Sequence, residues 1–400
     1  MKLQADPPLH LTYCLNVHAG ESWSDTLAAI RRYALAVRDR VQPDGPFALG
    51  LRLSAAAAAD LAGGDALDRF AAFLAAEDCY VFTINGFPYG RFHKAPVKQD
   101  VYRPDWRTGE RRDYTVRLGE ILARLLPDGL AGSISTVPLS YKPWGTGDED
   151  AAAMVRRLCE VVAHFADLRC RTGRTIRLAL EPEPDCLLET TDEVIDFFTG
   201  PLVRQGADVL GEFGLDADAA RVAIAEHVGV CLDTAHAAVA FEPPHDVLQR
   251  LGAAGIRVCK VQLSAALRVT PGAEALRRLA AFNDAVYLHQ VAVRRGDGTV
   301  VRYADLPAAL TDADAADADE WRVHFHVPLF FGGDEAIGST RSLLRSAFAD
   351  ALRAGATDQL EIETYTFDVL PDGLAVADPA EGIAREYRWV LDELLSRSPQ

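Results

Sequence analysis

The chain has 400 residues, 49% of them hydrophobic, with 41 basic against 58 acidic side chains and a formal charge of −17. That supplies a large core, and the acidic balance argues against nucleic acid or an anionic membrane surface as partner. No run of roughly 18 apolar residues is present, so no direct membrane insertion is expected. MKLQADPPLH lacks the apolar centre of a secretory signal. Seven cysteines without a CxxC pair argue against a disulfide framework, and a cytoplasmic setting is expected.

In chain order, residues 9–16 read as a first strand that delivers Asn16 and His18 to its end. A helix over 22–41 precedes a second strand, 47–53, which carries Arg52. The alanine run 55–59 and the segment 66–76 read as helix, and 79–85 as a third strand ending at Asn85. NGFPYGRFHK then reads as a substrate loop, with Phe87, Tyr89 and Phe92 beside Arg91, His93 and Lys94. A helix over 114–126 leads to a fourth strand, 132–138, after which TVPLSYKPWG offers Tyr141, Lys142 and Trp144. A helix over 148–171 precedes the fifth strand, 176–181. A helical region over 191–227 precedes the sixth, 228–233, and a helix over 245–254 precedes the seventh, 257–263.

A helix at 273–283 is followed by a β-rich insertion at about 284–331. Its first part reads as a hairpin turning at Gly296-Asp297-Gly298. The acidic stretch TDADAADADE lacks EF-hand spacing and reads as a solvated linker. RVHFHVPLF follows. A helix over 339–354, the eighth strand, 359–365, and a helix over 380–395 complete the series. Eight strands spaced by helices predict a (β/α)₈ TIM barrel as one domain, residues 1–400. An open doubly wound sheet is the alternative, but LNVHAGESW after the first strand lacks GxGxxG.

The chemistry gathers at strand ends, which a barrel brings to one mouth. LALEPEP places Glu181 at the end of strand five, with Glu183 one step further out. In GVCLDTAHA, Asp233 and His236 have the D-x-x-H spacing that lets a carboxylate oxygen and an imidazole nitrogen approach one cation. An N-capping Asp with an incidental His is the structural alternative. His324 and His326, at i and i+2 in an extended segment, share a face. Both could bind metal, one could bind while the other serves catalysis, or both could be buried structural histidines. Glu361 and Glu363 share a face likewise, and two buried carboxylates call for a cation, a proton or an Arg such as Arg52. Glu363, nearer the strand end, is favoured as ligand, with Glu361 as a deeper partner. Lys260 and Gln262 lie on strand seven: Lys260 could polarise a carbonyl or pair with Glu361, and Gln262 is a weaker ligand than His.

These residues resemble the xylose-isomerase-like TIM-barrel superfamily of sugar isomerases, epimerases and the endonuclease IV group. The resemblance implies divalent metal (Mn, Zn, Co or Mg) on Glu181, Asp233, His236, Glu363 and His326, with Gln262 where the superfamily has a strand-seven His. More closely, LTYCLNVHAGESW, FALGLRLS, TINGFPYG, LEPEP, CLDTAH, VHFHVPLF and LEIETYTFDVLP resemble EboE-type metabolite traffic proteins. That implies a small-molecule metabolite and partner proteins of an export pathway. The first expectation is a metal-dependent isomerase or epimerase on a polyhydroxylated metabolite, with Glu181, Glu363, Lys260 and His236 catalytic. Asn16, His18, Arg52, Asn85, Tyr89, Trp144, Glu183, His324 and Glu361 would contact substrate. A metal-dependent phosphoesterase and a non-catalytic metabolite binder are the other two readings.

Overall fold

A computed structural model of the protein describes residues 1–93, 96–334, 336–370 and 376–396. Lys94 of the expected substrate loop lies outside the described residues. The strands are β1 (Lys2–Ala5), β2 (Pro8–Tyr13), β3 (Phe47–Arg52), β4 (Cys79–Asn85), β5 (Gly132–Thr136), β6 (Ile176–Leu180), β7 (Val228–Asp233), β8 (Val258–Leu263), β9 (Ala266–Val269), β10 (Val291–Arg294), β11 (Val300–Tyr303), β12 (Glu320–His326), β13 (Ile337–Ser339) and β14 (Gln359–Ile362). Nine of them form one sheet in the order β1-β2-β14-β8-β7-β6-β5-β4-β3. All its strand pairs are parallel except the β1–β2 hairpin.

The eight parallel strands close on themselves. Cys14 and Gly50 form a parallel bridge between the β2 and β3 segments, and Thr12 Oγ1 donates to Ala48 O at 2.8 Å. Gly50 permits this seam, because a Cβ there would lie 2.5 Å from the Tyr13 carbonyl oxygen and collide with the Glu361 carboxylate. β3, β7, β8 and β14 are buried at every position, as strands become when side chains fill one face and helices cover the other. The result is an α/β barrel.

Local chemistry sets the outer helices. The helix Asp148–Thr172 opens on three acidic residues, carries Arg169 and Arg171 in its last turn, and stops at Gly173 with φ 73°. The predicted helical region 191–227 divides into Thr191–Thr199, Pro201–Gly211 and Ala217–His227. Gly200-Pro201 breaks it first, and Gly214 with φ 85° turns it a second time. The predicted helix 339–354 is corrected. Ser339 ends β13, a 3₁₀ turn covers Thr340–Leu344, and the α-helix spans only Ala347–Arg353, after Ser346 with φ 54°. No helix among the described residues is long and apolar enough to cross a membrane.

A second, antiparallel sheet has the order β11-β10-β12-β9-β13. Its hairpin pairs Val291 with Tyr303 and Arg294 with Val300 around Gly298, whose φ is 86°. The sheet begins directly after β8 and ends at Ser339, so it reaches beyond the expected 284–331 on both sides. The acidic stretch is not a plain linker. Asp312 caps a helical turn, Ala313–Ala316, and Ala315 O accepts the Trp321 indole N–H at 2.9 Å. β12 lies between β10 and β9 and is buried along its whole length, which brings its histidines to the barrel mouth.

Candidate metal centre and pocket

Each candidate ligand sits where a strand hands over to a loop or helix. Glu181 follows β6, with its amide donating to Thr136 O at 3.1 Å. Asp233 ends β7 and caps the helix Thr234–Val239. Its Oδ1 accepts from Ala235 N at 2.7 Å, His236 N at 3.0 Å and Ser264 Oγ at 2.7 Å, while buried Oδ2 has no partner. Capping therefore occupies one oxygen of the carboxylate and leaves the other available to a cation. Glu363 follows β14, and its Oε1 accepts from Asn16 Nδ2 at 2.7 Å and Asn85 Nδ2 at 3.1 Å.

Three imidazoles are held in one tautomer. His236 Nδ1 lies 3.0 Å from Pro182 O, His324 Nδ1 2.7 Å from Gln290 Oε1, and His326 Nδ1 2.8 Å from Glu363 O. Carbonyl oxygens only accept, so each Nδ1 carries a proton and each Nε2 keeps its lone pair. The Nε2 atoms of His324 and His326, with Glu181 Oε2 and Asp233 Oδ2, are buried without partners. Ligand atoms of Glu181, Asp233 and His236 come within 4.8 Å of one another, as do those of Asp233, His326 and Glu363, and those of His236, His324 and His326. These overlapping sets make a continuous donor shell of carboxylate oxygens and imidazole nitrogens, which suits a first-row divalent cation.

The electrostatics agree with that fit. Burial, reinforced by Asp233, pushes the Glu181 carboxyl well above its usual range. Burial with Glu181 and Asp233 does the same to Glu363. Burial raises Asp233 too, but His236, His326, a hydrogen bond shared with the Glu363 carboxyl and the Ser264 hydroxyl outweigh it and hold Asp233 below its usual value. Glu183 is pushed up to about 8 by burial, with Tyr102 OH donating to it at 2.8 Å. His236 falls to about 4 and His324 well below 6.5, both chiefly through burial. Neutral imidazoles beside crowded carboxylates are ready to bind a cation and costly to leave without one.

The next layer down is a fully buried ion pair, Lys260 Nζ to Glu361 Oε2 at 2.5 Å. Burial pulls the Lys260 ammonium down, but Glu361 more than offsets it and the group stays charged. This places Lys260, expected among the catalytic groups, and Glu361, expected to contact substrate, in a structural pair beneath the mouth. Gln262 stands between Asp233 and Glu361 in register. Its Oε1 accepts the Cys231 thiol at 3.0 Å, and its buried Nε2 has no partner.

Above the ligands opens a small cavity of about 60 Å³, partly exposed to solvent, into which Glu181, Glu183, His236, His324 and Glu363 project with Asn16 and Asn85. Four expected contact residues lie elsewhere. Arg52 spends its guanidinium on Gly20 O, Gly90 O and Glu21, tying two loops together rather than pairing with Glu361. His18 stacks on Tyr33 at 4.5 Å, bonds the Tyr13 hydroxyl at 2.9 Å and lines a separate depression with Arg91 and His93. Tyr89 packs edge-on against Tyr114 at 5.1 Å. Trp144 is covered by Arg103 at 4.1 Å, and neighbouring Lys142 pairs with Glu189 and Glu193.

The sequence reading missed Tyr102, Tyr287, Leu288 and Gln290. They come from loops without periodicity, and only the polar-aromatic run VYLHQ before the hairpin marks three of them. Arg111, also missed, is fully buried. It donates to Gly86 O, Phe87 O and Pro104 O at 2.7–3.0 Å, fixing the loop after β4 over the pocket.

No family model matches the chain, and no curated protein matches it. Among solved structures it is similar to the probable 3-DHS dehydratase AsbF involved in petrobactin synthesis from Bacillus anthracis (13% identity, 96% of this chain and 100% of that chain, TM-score 0.47). It is similar also to the IOLI protein with a binding zinc atom (12% identity, 97% and 100%, TM-score 0.49) and to a D-tagatose 3-epimerase-like protein (10% identity, 97% and 100%, TM-score 0.47). At these scores no argument about this chain rests on them; the barrel stands on its own strand order and closure.

Proposed function

We propose that the protein is a divalent-cation-dependent enzyme of the isomerase or epimerase type, acting on a small polyhydroxylated metabolite. The observation that carries the reading is the convergence of Glu181, Asp233, His236, His326 and Glu363, three of them (Glu181, Asp233 and His326) with buried unpartnered ligand atoms and three (Glu181, His236 and Glu363) lining the pocket. A cation there supplies Lewis-acid polarisation of a carbonyl and its neighbouring hydroxyl. Glu181 and Glu363 project into the pocket from strands separated by β7 and β8, so each can take or return a proton at a substrate carbon from a different side. Asn16 and Asn85 orient Glu363, and Pro182 O orients His236.

An Ebo-type metabolite export setting, with partner proteins and a cytoplasmic location, belongs to the same proposal and is supported by the sequence phrases quoted above. The phosphoesterase reading is weaker, because the one Lys or Arg among the described lining residues, Lys98, is already paired with Asp305 at 2.8 Å. The test is elemental mass spectrometry of the purified protein and of Asp233→Asn and Glu363→Ala, followed by an isomerase screen. Near-stoichiometric metal, lost in both folded variants, supports the proposal. A parent that takes up neither Mn nor Zn on soaking removes it in favour of a metabolite binder.

A further inference from the structure

The pocket has two unlike halves. Its floor is the donor shell, and its upper wall is apolar. Phe92, Tyr287 and Tyr365 form a mutual cluster with ring centroids 5.0–5.4 Å apart. Val97, Val101 and Leu288 extend that wall. Two tyrosine hydroxyls on this side are occupied by the protein: Tyr287 OH meets His93 Nδ1 at 3.1 Å, and Tyr102 OH donates to Glu183 while accepting from Gln290 Nε2 at 3.1 Å. Lys98 is paired, as noted. A ligand's hydroxyls beside these groups would lose water and gain few partners, and an anionic group would face Glu181, Glu183 and Glu363 with no unpaired Lys or Arg among the described lining residues to meet it.

We infer that the ligand carries an uncharged apolar group, aryl or alkyl in character, beyond the oxygens that face the cation. This rests on the cation reading above and narrows its substrate class: a bare sugar or a sugar phosphate would bring only a C–H face to the aromatic wall. Aromatic clusters of this kind reward a flat or aliphatic group through area burial and edge-to-face contact.

The experiment uses the full chain loaded with Mn or Zn, with cation content measured first, and hydroxamates of one chelating head and different tails. Isothermal titration compares acetohydroxamate, benzohydroxamate and 4-carboxybenzohydroxamate. The expected result is benzohydroxamate tighter than acetohydroxamate by about tenfold or more, with the gain lost in the carboxylated probe. Val101→Asp should erase the preference while cation content stays unchanged. Because Val101 is only half-buried on a 3₁₀ turn (Lys98–Tyr102), this variant should leave the core intact. Leu288→Asn serves as a second variant from a different segment of the same wall. Equal affinities for the first two probes, a tighter carboxylated probe, or no hydroxamate binding to the loaded protein would overturn the inference while leaving the cation reading in place. Failure to take up a cation would overturn both, and elemental analysis reads that outcome separately.

Discussion

His324 Nδ1 donates to Gln290 Oε1 across 2.7 Å, and this single bond decides which nitrogen His324 offers to the pocket. The amide cannot turn over, because Gln290 Nε2 donates to Tyr102 OH and to Pro184 O at 3.2 Å. Gln290→Leu removes the orienting acceptor and leaves the ring free to rotate. The expected outcome is a roughly 10- to 100-fold loss of affinity for Zn or Co, read by competition with a chromophoric chelator. Unchanged affinity would show that His324 contributes no ligand atom.

Asp233 separates charge from capping. Asp233→Asn retains an oxygen for Ala235 N and His236 N but loses the anionic oxygen aimed at the cation. It should therefore keep the parent's apo melting temperature to within a few degrees while its metal content falls to background. Asp233→Ala should lose both, with about 1 kcal/mol of stability going with the cap. A variant series in which metal persists through both changes would place the centre elsewhere.

The Lys260–Glu361 pair is buried completely on both sides. Lys260→Met leaves a carboxylate unpaired in the barrel interior and should cost about 3–5 kcal/mol in urea denaturation. The double variant Lys260→Met with Glu361→Leu should recover much of that loss, since a broken buried pair is worse than an apolar replacement. Equal damage from single and double variants would assign the pair a role beyond mutual neutralisation.

In the metal-free protein, acid acts on the buried histidines against an opposite pull from Glu181, Glu183 and Glu363, whose raised carboxyl pKa values favour the folded state as the pH falls. Burial lowers His18 to about 3 and His10 to about 4, and it lowers His93 as well. Each has a folded pKa below its unfolded value near 6.5, so the unfolded chain binds more protons between those limits. Their contribution to stability is complete above about pH 6.5 and is lost as the pH falls toward 4. The histidine part is isolated by comparing the chelator-treated parent with chelator-treated His18→Gln from pH 7.5 to 4.5: the parent should lose more melting temperature than the variant over that window. Identical profiles in the two would contradict the buried, neutral state of His18.

Much of this was legible in the sequence, for identifiable reasons. The barrel strands announce themselves as apolar runs buried on both faces. Glu181, Asp233, His236 and Glu363 fall at their ends, where loop chemistry begins. β9 was hidden because only Ser264 and Ala265 separate it from β8, so VCKVQLSAALRV reads as one run. β13 is too short for period to show. Arg52 was misplaced because sequence cannot tell a cation that faces a ligand from one whose donors are consumed by Gly20 and Gly90 carbonyls. Tyr102, Tyr287 and Gln290 reach the pocket only through tertiary contacts, such as the Val97 and Lys98 amides donating to Val286 O at 2.8 and 3.0 Å.

His324 and His326 belong to β12, whereas Glu181, Asp233 and Glu363 belong to the barrel. A cation bound by both sets is therefore a fastener between two separately hydrogen-bonded sheets. Occupancy would make the antiparallel layer melt with the barrel rather than ahead of it, by the linkage between binding and unfolding. Amide exchange should then slow on loading not only in β12 but also in β9 and β10, which carry no ligand, while the outer helices stay as they were.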